Sequence, residues 1–96
     1  MKKNINNFSS IINVRFKDDS LLRKSLTHKS YDKINNNEIL EFLGDRVLGL
    51  IISKYLMSKF PDDKEGVLDK KFANLVNKKT CGKVGKKLNL RNFMFL

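Results

Sequence analysis

The segment EILEFLGDRVLGL, residues 38–50, limits what this chain can fold into more than any other stretch. At about 100° per residue, Leu40, Phe42, Leu43, Val47, Leu48, Leu50 and the following Ile51 spread around nearly the whole circumference of a helix. A helix apolar on all sides is expected to be buried, so the fold has to be built around it. Yet Glu38, Glu41 and Asp45 fall within roughly 60° of one another on that helix. Glu41 and Asp45 stand at i, i+4, a like-charge pair that destabilises a helix by about a few tenths of a kcal/mol. Neither has a Lys or Arg at i±3 or i±4, and Arg46 projects about 100° away from Asp45. The sequence therefore predicts three semi-buried acids with no cationic side chain to neutralise them.

Two readings follow. Semi-buried carboxylates without a cation must take up protons or find another positive charge, and a hard divalent ion provides one. Mg²⁺, with Mn²⁺ as a substitute, takes carboxylate oxygens, keeps several waters and sits where a phosphate arrives. The competing reading is a solvated acidic stripe. Acids in a first helical turn interact favourably with the dipole, which accounts for Glu38 and Glu41 but fades before Asp45. Gly44 and Gly49 each cost a helix interior about 1 kcal/mol relative to alanine, which points to a neighbour approaching closely there. The pattern leaves both readings open.

The flanking sequence is helical throughout. Phe8, Ile11 and Ile12 predict a short first helix, and DDSLLRKSLTH a second, with Asp18 or Asp19 as N-cap and Leu21, Leu22 and Leu26 on one face. The central helix is expected over about residues 36–59, closed by FPDD because a residue before proline disfavours helix. Leu68, Phe72, Leu75 and Val76 mark a further helix, and Cys81, Val84 and Leu88 a last short one. Alternation rich in Val and Thr is missing, so the expected class is all-α in one domain with a modest core. Cys81 is the only cysteine, which excludes an internal disulfide and is read as a small buried hydrophobe. The apolar stretch at 47–56 is interrupted by Gly49, Ser53 and Lys54 and is too short to span a bilayer. MKKNINNFSS carries no apolar run, so no secretory signal is expected and the compartment is the cytoplasm.

The formal net charge is +10, which points to a polyanionic partner, nucleic acid or an acidic membrane surface. Lys70, Lys71, Lys78, Lys79, Lys83, Lys86, Lys87 and Arg91 crowd the C-terminal part against Asp69 alone. Lys79, Lys83 and Lys86 follow helical spacing and form a basic face suited to phosphates, with a merely solvated face as the alternative. His28, without a nearby catalytic partner, reads as a hydrogen-bonded structural residue, and Ser25, Thr27 and Ser30 read as cap or turn residues.

NNEILEFLGDRVLG resembles the signature of the ribonuclease III family, close to N-E-x-L-E-F-L-G-D-x-V-L. The match runs through Asn37, Glu38, Leu40, Glu41, Phe42, Leu43, Gly44, Asp45, Val47 and Leu48. RFKDDSLLRKSLTHKSY resembles the family's N-terminal segment, FPDDKEG its acid-bearing loop, and LDKKFANLVNKKTCGKVGKKLNL its next two helices. The resemblance implies an N-terminal part, about two-thirds, of that catalytic domain. It also implies metal binding by Glu41 and Asp45, with Asp45 catalytic and Glu38 and Glu65 positioning RNA and solvent. The implied reaction is Mg²⁺-dependent hydrolysis of double-stranded RNA to 5′-phosphate and 3′-hydroxyl ends, as in rRNA and other RNA processing, by a homodimer and not at a membrane. Lys70, Lys71, Lys78, Lys79, Lys83, Lys86 and Lys87 are the candidate duplex contacts.

The departures from the family matter as much. Its two further metal-binding acids lie in a D-x-x-E-A pattern, which occurs nowhere in this chain, and no double-stranded-RNA-binding domain is present. The chain is therefore expected to be truncated and inactive alone, with RNFMFL left exposed as an apolar end. The alternative is a non-catalytic, RNA-binding or dimerising remnant of the same fold.

Overall fold

The computed structural model describes residues 5–96. Residues 1–4, on which part of the signal reading rests, lie outside the described residues. Five α-helices follow in order: α1 (Ile5–Ile12), α2 (Asp19–Ser25), α3 (Glu38–Lys59), α4 (Glu65–Leu75) and α5 (Lys78–Lys87), then a 3₁₀ helix at Leu90–Phe93. No strand occurs among the described residues, only an isolated parallel bridge between Thr27 and Phe95. The all-α class is what the sequence predicted. No helix of the described residues is long and apolar enough to cross a membrane.

The first two helices are punctuated by their own residues. Asn13 adopts φ 56° after α1, so Val14 N–H reaches back to Ser9 C=O and Asn13 N–H to Ser10 C=O. These are the two bonds of a left-handed helix stop, which Asn tolerates. Of the two candidate caps for α2, the structure uses Asp18, whose carboxylate accepts from Ser20 N–H (2.9 Å) and Ser20 Oγ (2.6 Å). These bonds, the side-chain one first, hold the Asp18 carboxyl below its ordinary range. A group with a depressed folded pKa contributes stability above its unfolded value and loses it as pH falls through the folded one. Asp18→Ala is accordingly expected to lower the melting temperature at neutral pH. The gap from wild type should close in an acid melting series taken below the ordinary carboxylate range.

Phe8, Leu22, Leu26 and Phe95 form the buried core, with Ile5, Ile12, Phe16, Leu88, Leu90, Phe93 and Met94 packed around them. This corrects the expectation that RNFMFL lies open. Asn89, at φ 52°, turns the chain so that the 3₁₀ segment folds back onto α1 and Phe95 reaches Leu22 and Leu26. Phe95 donates to Leu26 C=O (2.9 Å) and accepts from His28 N–H (2.8 Å), while the Phe93 and Phe8 rings lie 5.1 Å apart. Only Leu96 of the four final residues is exposed.

The larger correction concerns α3, expected to be buried and found mostly in solvent. It forms a hairpin with α4 across the Phe60–Pro61 turn, and its only buried residue is Leu56. The Phe72 ring reaches α3 at Gly49, where a Cβ would lie 3.6 Å away, so one of the two glycines has its close neighbour. Gly44 has none within 4 Å. Because α4 covers one side of the C-terminal half alone, Ile39 is 76% and Leu50 71% exposed. Phe42, Leu43, Val47 and Ile51 are also exposed, and the molecule measures 50 × 27 × 24 Å.

Candidate nuclease site

The start of α3 is stitched to the loop before it, and this fixes the first acids. Asn36, buried, donates through its side-chain amide to Asp32 C=O (3.0 Å) and accepts from Glu38 N–H (3.1 Å). Asn37 donates N–H to Thr27 C=O (2.9 Å) and its side chain to Ser25 C=O (3.3 Å). The Asp32 carboxylate accepts from Asn35 and Ile34 N–H, both at 2.9 Å, and these two bonds hold its carboxyl below the usual range. His28 Nδ1 lies 2.8 Å from Ser30 Oγ and accepts from Ser30 N–H (3.0 Å). That is a structural role, as its sequence setting suggested. Ser25 and Thr27 hydroxyls donate back to Leu22 and Arg23 C=O, both at 2.6 Å.

Glu38, Glu41 and Asp45 share one face of α3, and all three are exposed rather than semi-buried. The loss of burial has the same cause as the exposure of the leucines: α4 does not reach the N-terminal half of α3. Glu38 is not unpaired, because Lys29 Nζ lies 3.7 Å from its carboxylate. That partner comes from the preceding loop, beyond the reach of an i±4 search. Both groups are more than half exposed, so the pair contributes between about 0 and 1 kcal/mol. Glu41 and Asp45 have no ion pair among the described residues. Arg46 is turned onto its own helix, 3.9 Å above the Phe42 ring and donating to Phe42 C=O (3.1 Å).

Glu65 is placed elsewhere. It opens α4 and lines a cavity of about 480 Å³ with Ser53, Leu56, Met57, Leu68, Asp69 and Phe72. Ser53 lies eight residues past Asp45, about 12 Å further along α3. Among the described residues no three His, Cys, Asp or Glu come together as a metal-binding group. Within this chain the structure thus sets Glu38, Glu41 and Asp45 along one face of α3, not gathered into a metal-binding group, and sets Glu65 on α4. Two hard carboxylates one turn apart and open to solvent suit part of a Mg²⁺ or Mn²⁺ site, the remaining ligands being water or other donors.

The lysines divide into two kinds. Lys78, Lys79, Lys83, Lys86 and Lys87 are exposed on α5, and Lys70 on α4, with no ion pair among the described residues. Lys71 differs. Its ammonium is bonded to Asp63 and lies 3.4 Å over the Phe60 ring, so it is committed inside the α3–α4 turn and is not a free surface cation. Cys81 is exposed, correcting its expected burial. α5 is held at its ends and not along a Cys81–Val84–Leu88 stripe. Asn77 and Thr80 tie its start to α4, while Gly85 faces Leu90 of the 3₁₀ segment and Leu88 packs against the core.

Comparison with known proteins agrees with this fold. A family model described as ribonuclease-III-like matches residues 18–96. Ribonuclease 3 of Pelagibacter ubique is 55% identical over 96 residues, covering all of this chain and 43% of that protein. Ribonuclease 3 of Campylobacter jejuni is 49% identical over 94 residues, 98% of this chain and 42% of that protein. A solved nuclease domain of ribonuclease III from Campylobacter jejuni, with structural flexibility in a region involved in dimer formation, superposes with a TM-score of 0.94 at 47% identity. That match covers 97% of this chain and 65% of the solved one. The chain therefore spans less than half the length of the curated relatives it matches.

Proposed function

The chain belongs to the ribonuclease-III-like family, and we propose that it carries part of the active site of a divalent-metal endoribonuclease acting on double-stranded RNA in the cytoplasm. The observation that carries this reading is the solvent-open pair Glu41 and Asp45, aligned one turn apart on a helix whose N-terminus is stitched in place. These two residues would hold Mg²⁺ or Mn²⁺. The bound ion supplies Lewis-acid polarisation of a phosphodiester and a more acidic water.

The chain's own residues do the rest. Glu38, steadied by Lys29, and Glu65 at the start of α4 accept hydrogen bonds from RNA hydroxyls or water. The exposed lysines of α5 and Lys70 draw in the phosphate backbone, which A-form RNA presents as its main recognisable feature. The exposed apolar side of α3 pairs with a second copy of the complete domain. A second reading, a non-catalytic RNA-binding or dimerising remnant, draws on the same α5 lysines together with the presence of only two of the expected metal ligands.

Metal binding tests the assignment of Glu41 and Asp45. Calorimetric or NMR titration with Mg²⁺ or Mn²⁺ is expected to show weak binding by the wild type and none by Glu41→Gln/Asp45→Asn. Equal affinity in the two proteins would remove the metal assignment. RNA binding is tested by salt. Log affinity for a duplex should fall with log salt at a slope of roughly 0.7–0.9 per phosphate contact. Lys79→Ala/Lys83→Ala/Lys86→Ala is expected to flatten that slope with the helical circular-dichroism signal unchanged. An unmoved slope returns these lysines to a solvated surface.

A further inference from the structure

We propose that Lys71 is a positioning residue for Glu65, holding the first turn of α4 in register through Asp63 and Phe60; this rests on the reading of Glu65 as a site residue. α4 begins without a side-chain cap. Lys64 occupies the N-cap position and makes no side-chain hydrogen bond there, and the start is held by Val67 and Leu68 N–H to Lys64 C=O (3.1 and 3.0 Å). A lysine at that end also places positive charge where the helix dipole is already positive. Gly66 follows Glu65 and has no side chain to pack. Glu65 itself favours the dipole there, but without a cap or a packed side chain at Gly66 its turn is only weakly held by local sequence.

Lys71 supplies what the cap does not. Its ammonium is bonded to the Asp63 carboxylate and centred 3.4 Å from the Phe60 ring, and both partners belong to the turn that leads into α4. Asp63 is itself fixed to that turn by its N–H to Phe60 C=O (3.1 Å). The link closes residues 63–71 into a loop with Glu65 inside it, two residues from one end. Lys71 and Asp63 are both about one-third exposed or less, so solvent competes less for this pair than for the open Lys29–Glu38 pair. Phe60 covers the cation on its ring side. The geometry also explains why a lysine in a basic run is withdrawn from the surface: Asp63 sits eight residues upstream, across the turn, and draws it back.

The test compares Lys71→Met, which keeps the aliphatic stem against Phe60 but loses the charge, with Lys71→Arg, which can still pair with Asp63 and stack on the ring. On the chain itself, amide exchange at Val67 and Leu68 should quicken about tenfold in Lys71→Met, the effect of losing one ion-pair and ring contact on a local opening. Lys71→Arg should restore the wild-type rate. In a cleavage-competent protein, with the chain joined to the C-terminal segment its relatives carry, Lys71→Met should lower kcat about tenfold and leave KM unchanged. The loss should not add to that of Glu65→Gln, since one residue acts through the other. Unchanged exchange at Val67 and Leu68 overturns the clamp. Additive losses, or a raised KM with a flatter salt slope, overturn it in favour of direct RNA contact by Lys71. A fully active Glu65→Gln overturns the role through Glu65 and is told apart by exchange that still responds to Lys71→Met.

Discussion

Asp45→Asn abolishes double-strand cleavage by the completed domain, and residues 1–96 alone leave the duplex intact even with Mg²⁺; both results are expected from the arrangement on α3. Glu41 and Asp45 can hold a hydrated ion between two oxygens on one turn of helix, but they do not fix its position. Glu65 lines a cavity with Ser53, which stands about 12 Å past Asp45 along the helix, and no third ligand joins the pair among the described residues. An ion free to shift by about 1 Å costs roughly a hundredfold in rate, and a pair of carboxylates alone allows more than that. Removing Asp45 from a completed site is therefore expected to lower cleavage at least about a hundredfold, because it takes out a ligand and a negative charge together. Gel analysis of a long RNA duplex provides the measurement, with the C-terminal segment supplied in cis or in trans and Asp45→Asn as control. Asp45-dependent cleavage by the unaided chain would show that the ion is held elsewhere.

What the sequence disclosed depended on the range of the interaction. Helix periodicity and stop signals are local, so the five helices, an N-cap at Asp18 or Asp19 and the break at Phe60–Pro61 were legible, while the choice of Asp18 was not. The alignment of Glu38, Glu41 and Asp45 follows from helical geometry and was legible too. Contacts crossing a turn were not. Lys29 reaches Glu38 from the loop, and Lys71 reaches Asp63 across eight residues, so a charge count by helical spacing left the first acid unpaired and the second lysine free. The ending FMFL misled for a related reason. An apolar terminus looks unprotected until the left-handed Asn89 turns it into the α1–α2 core, a rotation composition does not encode. On α3 the apolar circumference led the sequence to expect burial, and the structure leaves most of the helix exposed because α4 packs on one side of it only.

Self-association through α3 is the other large expected effect. The acids occupy one side of the helix, while Ile39, Leu43, Val47, Leu50 and Ile51 lie on the opposite side, all exposed and all within about 120° of arc. A continuous apolar side of that length is unusual on a stable monomer. A second copy is the simplest cover, since a two-fold contact meets like with like and leaves both acidic sides open to RNA. Burying one leucine is worth about 1.5–3 kcal/mol, and a two-fold contact loses it twice on substitution. Leu50→Lys is therefore expected to weaken association by about 3–6 kcal/mol, roughly a hundredfold to ten-thousandfold in Kd. Salt supplies an independent sign. A chain of net charge +10 repels its copy, so added salt should strengthen association while weakening RNA binding. Sedimentation velocity over a concentration series reads both effects, with Lys79→Ala on α5 as a control that should leave association unchanged. A wild-type chain that stays monomeric at high concentration and high salt would exclude the second copy as the cover for α3. Association abolished by adding the C-terminal segment would assign that side of α3 to the segment instead.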